Sequence, residues 1–196
     1  MTPLVTIIIP TYNRKELLEK SILSVLNQEN GDIPFEFEII IIDDGSQDGT
    51  EEFIRQYIEN PKYHIIYRYQ TNGWVGNARN HGLSLMNKKS DYLIFLDSDD
   101  ELKLSLIHES LQRWQELKKT WEYENVLGFY FLCENEAGKV IWDKGILNGK
   151  NERFLSYEDY LLGVINIEMG IIIKSFLFMG EAWLRFEEDI ITEWVM

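Results

Sequence analysis

The stretch IIIIDDGSQDG, residues 39–49, runs four consecutive isoleucines straight into two adjacent carboxylates and a glycine turn. An apolar run without polar alternation is the pattern of a strand covered on both faces, as in a parallel sheet. Asp43 and Asp44 then stand at the carboxyl end of that strand. One acid there could simply begin a turn, because Asp-Gly is a common turn pair. Two acids closing a greasy run point instead to a site.

The rest of the first 120 residues repeats the same plan. LVTIII (4–9) is β-branched, short and stopped by Pro10, which reads as a buried strand. Leu18, Ile22, Val25 and Leu26 then recur at helical spacing, with Asn13 and Glu16 placed as a capping box. After the isoleucine strand, Asp48 and Glu51 frame a second capping box, followed by helical spacing through Phe53, Ile54, Tyr57 and Ile58. HIIYRY (64–69) predicts a third strand, NGWVGNARN a glycine-rich turn and then a helix from about Asn77. DYLIFLD (91–97) predicts a fourth strand, ending in DSDDE, and a helix follows over roughly 104–118. Strands alternating with helices through short connections give a doubly wound α/β sheet. Beyond residue 120 the pattern changes. Residues 125–145 read as two strands joined by a turn at ENEAG, and a short helix is expected near 157–162.

In such a sheet, ligands bind outside the carboxyl ends of the strands. Thr11 and Tyr12 end the first strand, Asp43 and Asp44 the second, and Asp97, Ser98, Asp99 and Asp100 the fourth. So many carboxylates on one rim repel one another unless compensated. A divalent cation with hard oxygen ligands is the expected remedy, since Mg²⁺ needs only one or two protein carboxylates beside phosphate oxygens and water. The rim therefore predicts a metal–diphosphate ligand. Arg79 supplies a cation, and its expected place in the first turn of its helix is one the helix dipole disfavours, which suggests a ligand contact. Each feature also has a plain reading: a turn for the aspartate pair, a helix start for DSDD, a surface ion pair for Arg79.

Composition excludes other classes. The formal charge is −14, with 33 acidic against 19 basic residues, which is unsuited to neutralising a nucleic-acid backbone. The lone Cys133 cannot form an internal disulfide, and the scattered His64, His81 and His108 lack zinc-ligand spacing. No basic start precedes the first apolar run, and no run reaches the ~20 residues that cross a bilayer. These features predict a soluble, cytoplasmic chain.

Four motifs in order, VTIIIPTYNR, EIIIIDDGSQDGT, NGWVGNARNHGL and YLIFLDSDDEL, closely resemble the family 2 glycosyltransferases, strongly over residues 4–105 and weakly beyond. The resemblance implies the GT-A fold: a mainly parallel, Rossmann-like sheet flanked by helices, with a smaller mixed C-terminal acceptor part. Residues 1–120 would bind the nucleotide-sugar, and residues 121–196 would form the acceptor and base half of the same domain. It implies a UDP-sugar donor, Mn²⁺ or Mg²⁺, and transfer with inversion to a saccharide or lipid-linked acceptor in cell-surface polysaccharide synthesis. Such an acceptor would bring the protein to the cytoplasmic face of a membrane as a peripheral protein. Pro10, Thr11 and Tyr12 would border the base, with Tyr12 stacked on it and Asp44 accepting from uracil beside Asp43. Arg14, Gly76, Arg79, Asp97 and Ser98 would complete the donor site. Asp99 would contact the metal, and Asp97 the metal or the ribose side. In the later EED, Asp189 would be the general base, with Glu188 beside it; Glu187–Glu188 is the other register. Family members usually carry more chain beyond this motif, so the acceptor side is expected to be cut short at Met196. A nucleotidyltransferase is the rival enzyme, disfavoured because PTYNRKE lacks a glycine-rich basic loop. A phosphorylated receiver domain leaves DSDD unexplained, and a catalytically silent donor-binding module is the third alternative.

Overall fold

A computed structural model describes residues 1–120, 128–132, 137 and 169–174. In chain order the elements are β1 (Leu4–Thr11), α1 (Lys15–Leu26), β2 (Glu36–Asp43), α2 (Thr50–Ile58), β3 (Ile65–Tyr69), α3 (Trp74–Leu85), β4 (Tyr92–Phe95), α4 (Leu106–Leu117), β5 (Gly128–Leu132) and β6 (Met169–Lys174). They build one six-stranded sheet in the order β3-β2-β1-β4-β6-β5. β3, β2, β1 and β4 are mutually parallel, while β6 runs antiparallel to both β4 and β5. The predicted α/β sheet is therefore present, with a mixed edge contributed by the C-terminal part.

The isoleucine run does what its pattern demands. Ile39, Ile40, Ile41 and Ile42 are all fully buried, as are Ile7, Ile8 and Ile9 beside them. Successive side chains point to opposite faces. Ile7, Ile9, Ile39 and Ile41 pack with Leu18, Ile22, Ile54, Ile107 and Trp114 of the helices on one side. Ile8, Ile40, Ile42 and Leu93 face Ala78 and Leu83 of α3, and Met86 just after it, on the other. Each such side chain contributes about 1.5–3 kcal/mol by leaving water, so β1 and β2 are the energetic centre of the fold. At Gly82 an added Cβ would lie 2.5 Å from Ile8 Cγ2. Glycine there lets α3 lie directly on β1.

Three helix starts differ from expectation, all for tertiary reasons. Asn13 does not cap α1; the cap position is Arg14, which makes no side-chain cap bond. Asn13 instead sits at φ 50° and accepts from the Gln47 N–H at 2.7 Å. Asp48 reaches across from the next loop and accepts from the Lys15 N–H at 3.0 Å. Asp48 also accepts from Thr50, but Gly49 occupies the cap position of α2 at φ 84°, so the expected box with Glu51 is absent. The helix expected from Asn77 begins at Trp74. Arg79 consequently lies in its second turn, and the dipole argument made for it does not hold.

The first of the two strands expected over 125–145 exists as β5, and among the described residues it pairs with β6, from the apolar piece IEMGIIIK, in antiparallel register. Ala137 stands in a turn. The other expected hairpin strand and the helix near 157–162 lie outside the described residues. Among the described residues, no helix is long and apolar enough to cross a membrane.

Candidate active site

Strand register assembles the rim. Thr11 lies opposite Asp43, and Asp43 opposite Tyr69, in one row across the carboxyl ends of β1, β2 and β3. β4 runs parallel on the other side of β1, so Asp97, Ser98 and Asp99 leave the sheet at the same edge. Ser21 Oγ secures that exit by donating to the Asp100 carbonyl at 2.6 Å.

Asp43 is only 1% exposed, and both its oxygens are engaged. Oδ1 accepts from the Ser46 N–H and Oδ2 from the Tyr67 hydroxyl, each at 2.7 Å. Burial, then the hydrogen bond and the charge of Asp43, push the Tyr67 hydroxyl far above its ordinary pKa. Asp43 thus spends its charge on holding the DGSQD turn.

Asp44 is 5% exposed and differently used. Its N–H donates to the Thr11 carbonyl at 2.9 Å, tying β2 to β1. Its Oδ1 accepts from Gln70 Nε2 at 2.7 Å and from the Gly73 N–H at 2.9 Å. Gln70 follows β3 and meets His81 Nδ1 at 2.8 Å. Gly45 takes φ 95°, and an added Cβ would press on the Asn72 backbone nitrogen at 3.1 Å. The loops after β2 and β3 therefore lock together around Asp44.

The acids after β4 are met by arginines. Arg79, 4% exposed, places Nη2 2.8 Å from Asp97 Oδ1, with its guanidinium over the Phe95 ring at 5.9 Å. Arg14 Nη1 lies 2.7 Å from Asp99 Oδ2, both side chains about half exposed. Each of these carboxylates therefore has a partner within the protein. Hydrogen-bond donors serve Asp43 and Asp44, and guanidinium groups serve Asp97 and Asp99.

Pro10 and Thr11 are buried at the end of β1, Ser98 is buried, and Gly76 lies in the first turn of α3. Thr11 Oγ1 is buried without a hydrogen-bond partner among the described residues. Tyr12 presents an aromatic ring at 48% exposure. Gln70, His81 and Trp74 are additions to the residues picked from sequence. The strand-end rule, applied to HIIYRY, selects Gln70 as its next residue. Trp74 is 69% exposed at φ 70°, directly after the glycine whose N–H binds Asp44. Glu188 and Asp189 lie outside the described residues.

Among the described residues, no cluster of three or more His, Cys, Asp or Glu side chains could hold a metal ion. The donor set still fits a hard cation that brings its own phosphate ligands. Asp99 is a half-exposed carboxylate at the strand end, and a cationic group, Arg14, already rests on it.

The sequence matches the family Glycosyl transferase family 2 over residues 6–172. The chain belongs to this family. A GalNAc(5)-diNAcBac-PP-undecaprenol beta-1,3-glucosyltransferase of Campylobacter jejuni is 30% identical over 188 residues, covering 95% of this chain and 56% of that protein. The putative teichuronic acid biosynthesis glycosyltransferase TuaG of Bacillus subtilis is 35% identical over 111 residues, covering 56% of this chain and 41% of its own length. The chain spans about half the length of such relatives. Among solved structures, S. aureus TarS 1-349 in complex with UDP superposes with a TM-score of 0.69 at 19% identity, covering 100% of this chain and 53% of that one. A Pyrobaculum calidifontis mannosyltransferase in complex with GDP-Man and Mn2+ gives 0.61 at 18% identity, with 97% and 49% covered. These likenesses identify the GT-A fold of the family.

Proposed function

We propose that the rim binds a nucleotide-sugar, with UDP as its nucleotide, and that the chain transfers the sugar to a hydroxyl of a saccharide or lipid-linked acceptor. The observation that carries this reading is the pairing of two unlike acidic ends on one sheet edge. Asp44 is buried and oriented by neutral donors, as a base-reading group needs to be. Asp99 is open and rests on a movable cation, as a group facing a diphosphate needs to be. TarS was solved with UDP, which supports the choice of base. The relatives named for undecaprenol-linked and teichuronic acid synthesis support a cell-surface glycan acceptor.

In this reading Tyr12 stacks on the base, Pro10, Thr11, Asp43 and Gly76 shape its surroundings, and Asp44 accepts from it. Arg79 holds Asp97 towards the ribose side, and Ser98 lines the passage to the phosphates. Asp99, with Asp97 near it, would hold Mn²⁺ or Mg²⁺, and Arg14 faces the same diphosphate. The ion, when bound, stabilises the charge that builds on the leaving nucleoside diphosphate. Asp189, with Glu188 beside it, takes the proton from the acceptor hydroxyl, so that attack comes from the face opposite the nucleotide and inverts the anomeric centre. Such a base contributes about 10²–10⁴-fold. Hydrolysis and transfer assays with UDP-sugars and Mn²⁺ test the whole reading. Release of UDP is expected; release of pyrophosphate would mean a nucleotidyltransferase, and no turnover with intact UDP binding would mean a silent donor-binding module.

A further inference from the structure

We infer that Gln70 and His81 are specificity-determining positioning residues, which orient Asp44 so that one carboxylate oxygen is committed to the protein and the other selects a base with a single ring N–H, uracil or thymine. The inference rests on the proposal that the donor's base meets Asp44.

The hydrogen-bond chain fixes its own polarity. A carboxylate only accepts, so the amide nitrogen of Gln70 faces Asp44 Oδ1, at 2.7 Å. The amide oxygen of Gln70 then faces His81 Nδ1, at 2.8 Å. An amide oxygen also only accepts, so His81 carries its proton on Nδ1. The ring is thereby a donor that completes the amide orientation set by Asp44. The Gly73 N–H adds a second bond to the same Asp44 oxygen, at 2.9 Å.

Two bonds fill the ordinary capacity of Oδ1. Oδ2 takes none from the described residues. An acceptor limited to one oxygen suits an imide N–H flanked by two carbonyls, the edge of uracil and thymine. Guanine offers two adjacent donors, which call for both oxygens at once. Cytosine offers an acceptor where uracil has its N–H, so it would face Oδ2 with repulsion. A buried group left facing the wrong partner discriminates strongly, because its unmet hydrogen bond cannot be replaced by water.

Calorimetric titration of the full chain with UDP, dTDP, CDP and GDP, in Mn²⁺, tests this. The wild type should bind UDP and dTDP at least about tenfold more tightly than CDP and GDP. Gln70→Leu should weaken UDP about tenfold and shrink the UDP-to-CDP ratio. Gln70→Glu, which keeps the length but turns a donor into a second carboxylate, should weaken it further. His81→Phe should give the same loss of selectivity in milder form, and His81→Asn, which keeps a donor, should recover part of it. A merely structural role would lower thermal stability without moving the UDP-to-CDP ratio. Unchanged selectivity in folded Gln70→Leu and His81→Phe overturns the inference and leaves the donor site standing. Wild-type protein that binds none of the four nucleotides overturns the donor site itself.

Discussion

Two strand ends on one edge of the sheet carry the same chemical group in opposite ways. After β2, Asp43 and Asp44 are almost wholly buried and are met by a hydroxyl, an amide and backbone N–H groups. After β4, Asp97 and Asp99 are partly open and are met by guanidinium groups. Neutral donors in a dry setting fix direction and leave the carboxylate charge to be felt locally. Arg79 is buried, but Arg14 is exposed, and an exposed pair such as Arg14–Asp99 exchanges readily and contributes about 0–1 kcal/mol. The β2 end is held by fixed donors, while the half-exposed Asp99 at the β4 end rests on an exposed, exchangeable partner.

The largest effect should come from the centre of the rigid end. Asp44→Ala removes the acceptor shared by Gln70 and Gly73, and should abolish measurable UDP binding while costing about 1–3 kcal/mol of stability from the orphaned donors. Retained UDP affinity in the folded variant would remove Asp44 from the base site. Next is Asp97→Ala, which takes the carboxylate from a buried Arg79. It should cost about 2–3 kcal/mol, below the full figure for a buried pair because Asp97 is partly open. Denaturant unfolding would measure it, and a loss under half of that would mark the pair as a surface contact.

Tyr67→Phe separates structure from recognition within the rigid end. It leaves Asp43 Oδ2 without its donor, so unfolding should become easier by about 1–3 kcal/mol, with UDP affinity little changed. The sign of its pH effect follows from the raised folded pKa. The unfolded tyrosine ionises near 10.0 and the folded one well above it. The stabilisation is therefore fully present below pH 10.0 and is lost as pH rises beyond it. Tyr67→Phe should flatten that alkaline decline, and an unaltered slope would contradict the assignment.

The smallest change in stability belongs to the exchangeable end. Arg14→Ala should cost less than about 1 kcal/mol, and less still in high salt. It should nonetheless strengthen Mn²⁺ binding measured without nucleotide, because a competing cation leaves Asp99. Weaker Mn²⁺ binding would mean that Arg14 supports the ion rather than standing in for it.

How much of this was legible depends on the range of the forces involved. The sheet was readable because Ile39–Ile42 and Ile7–Ile9 can be satisfied only between two covering layers. The rim was readable because strand direction alone puts Asp43, Asp44, Asp97 and Asp99 on one edge. The caps were not readable. Asn13 and Asp48 have the right chemistry for local caps, yet each bonds across a neighbouring loop, and sequence spacing does not reveal which loops will touch. Arg79 was misplaced by a turn because glycine residues at 73 and 76 look like a loop, whereas the Gly73 N–H is already held by Asp44 and the helix starts behind it. His81 has no signal of its own; its role emerges only from a partner eleven residues away. The arginine partner of Asp99 was not readable, because nothing local links Arg14 to Asp99.

The central claim is that Asp44 presents one oriented oxygen to the ring N–H of a nucleotide base. Titrating wild-type protein with UDP and with its N3-methyl derivative, in Mn²⁺, tests it most directly, since the two ligands differ only at that hydrogen. The account predicts that methylation weakens binding by at least about tenfold. Equal affinity for the two would contradict it.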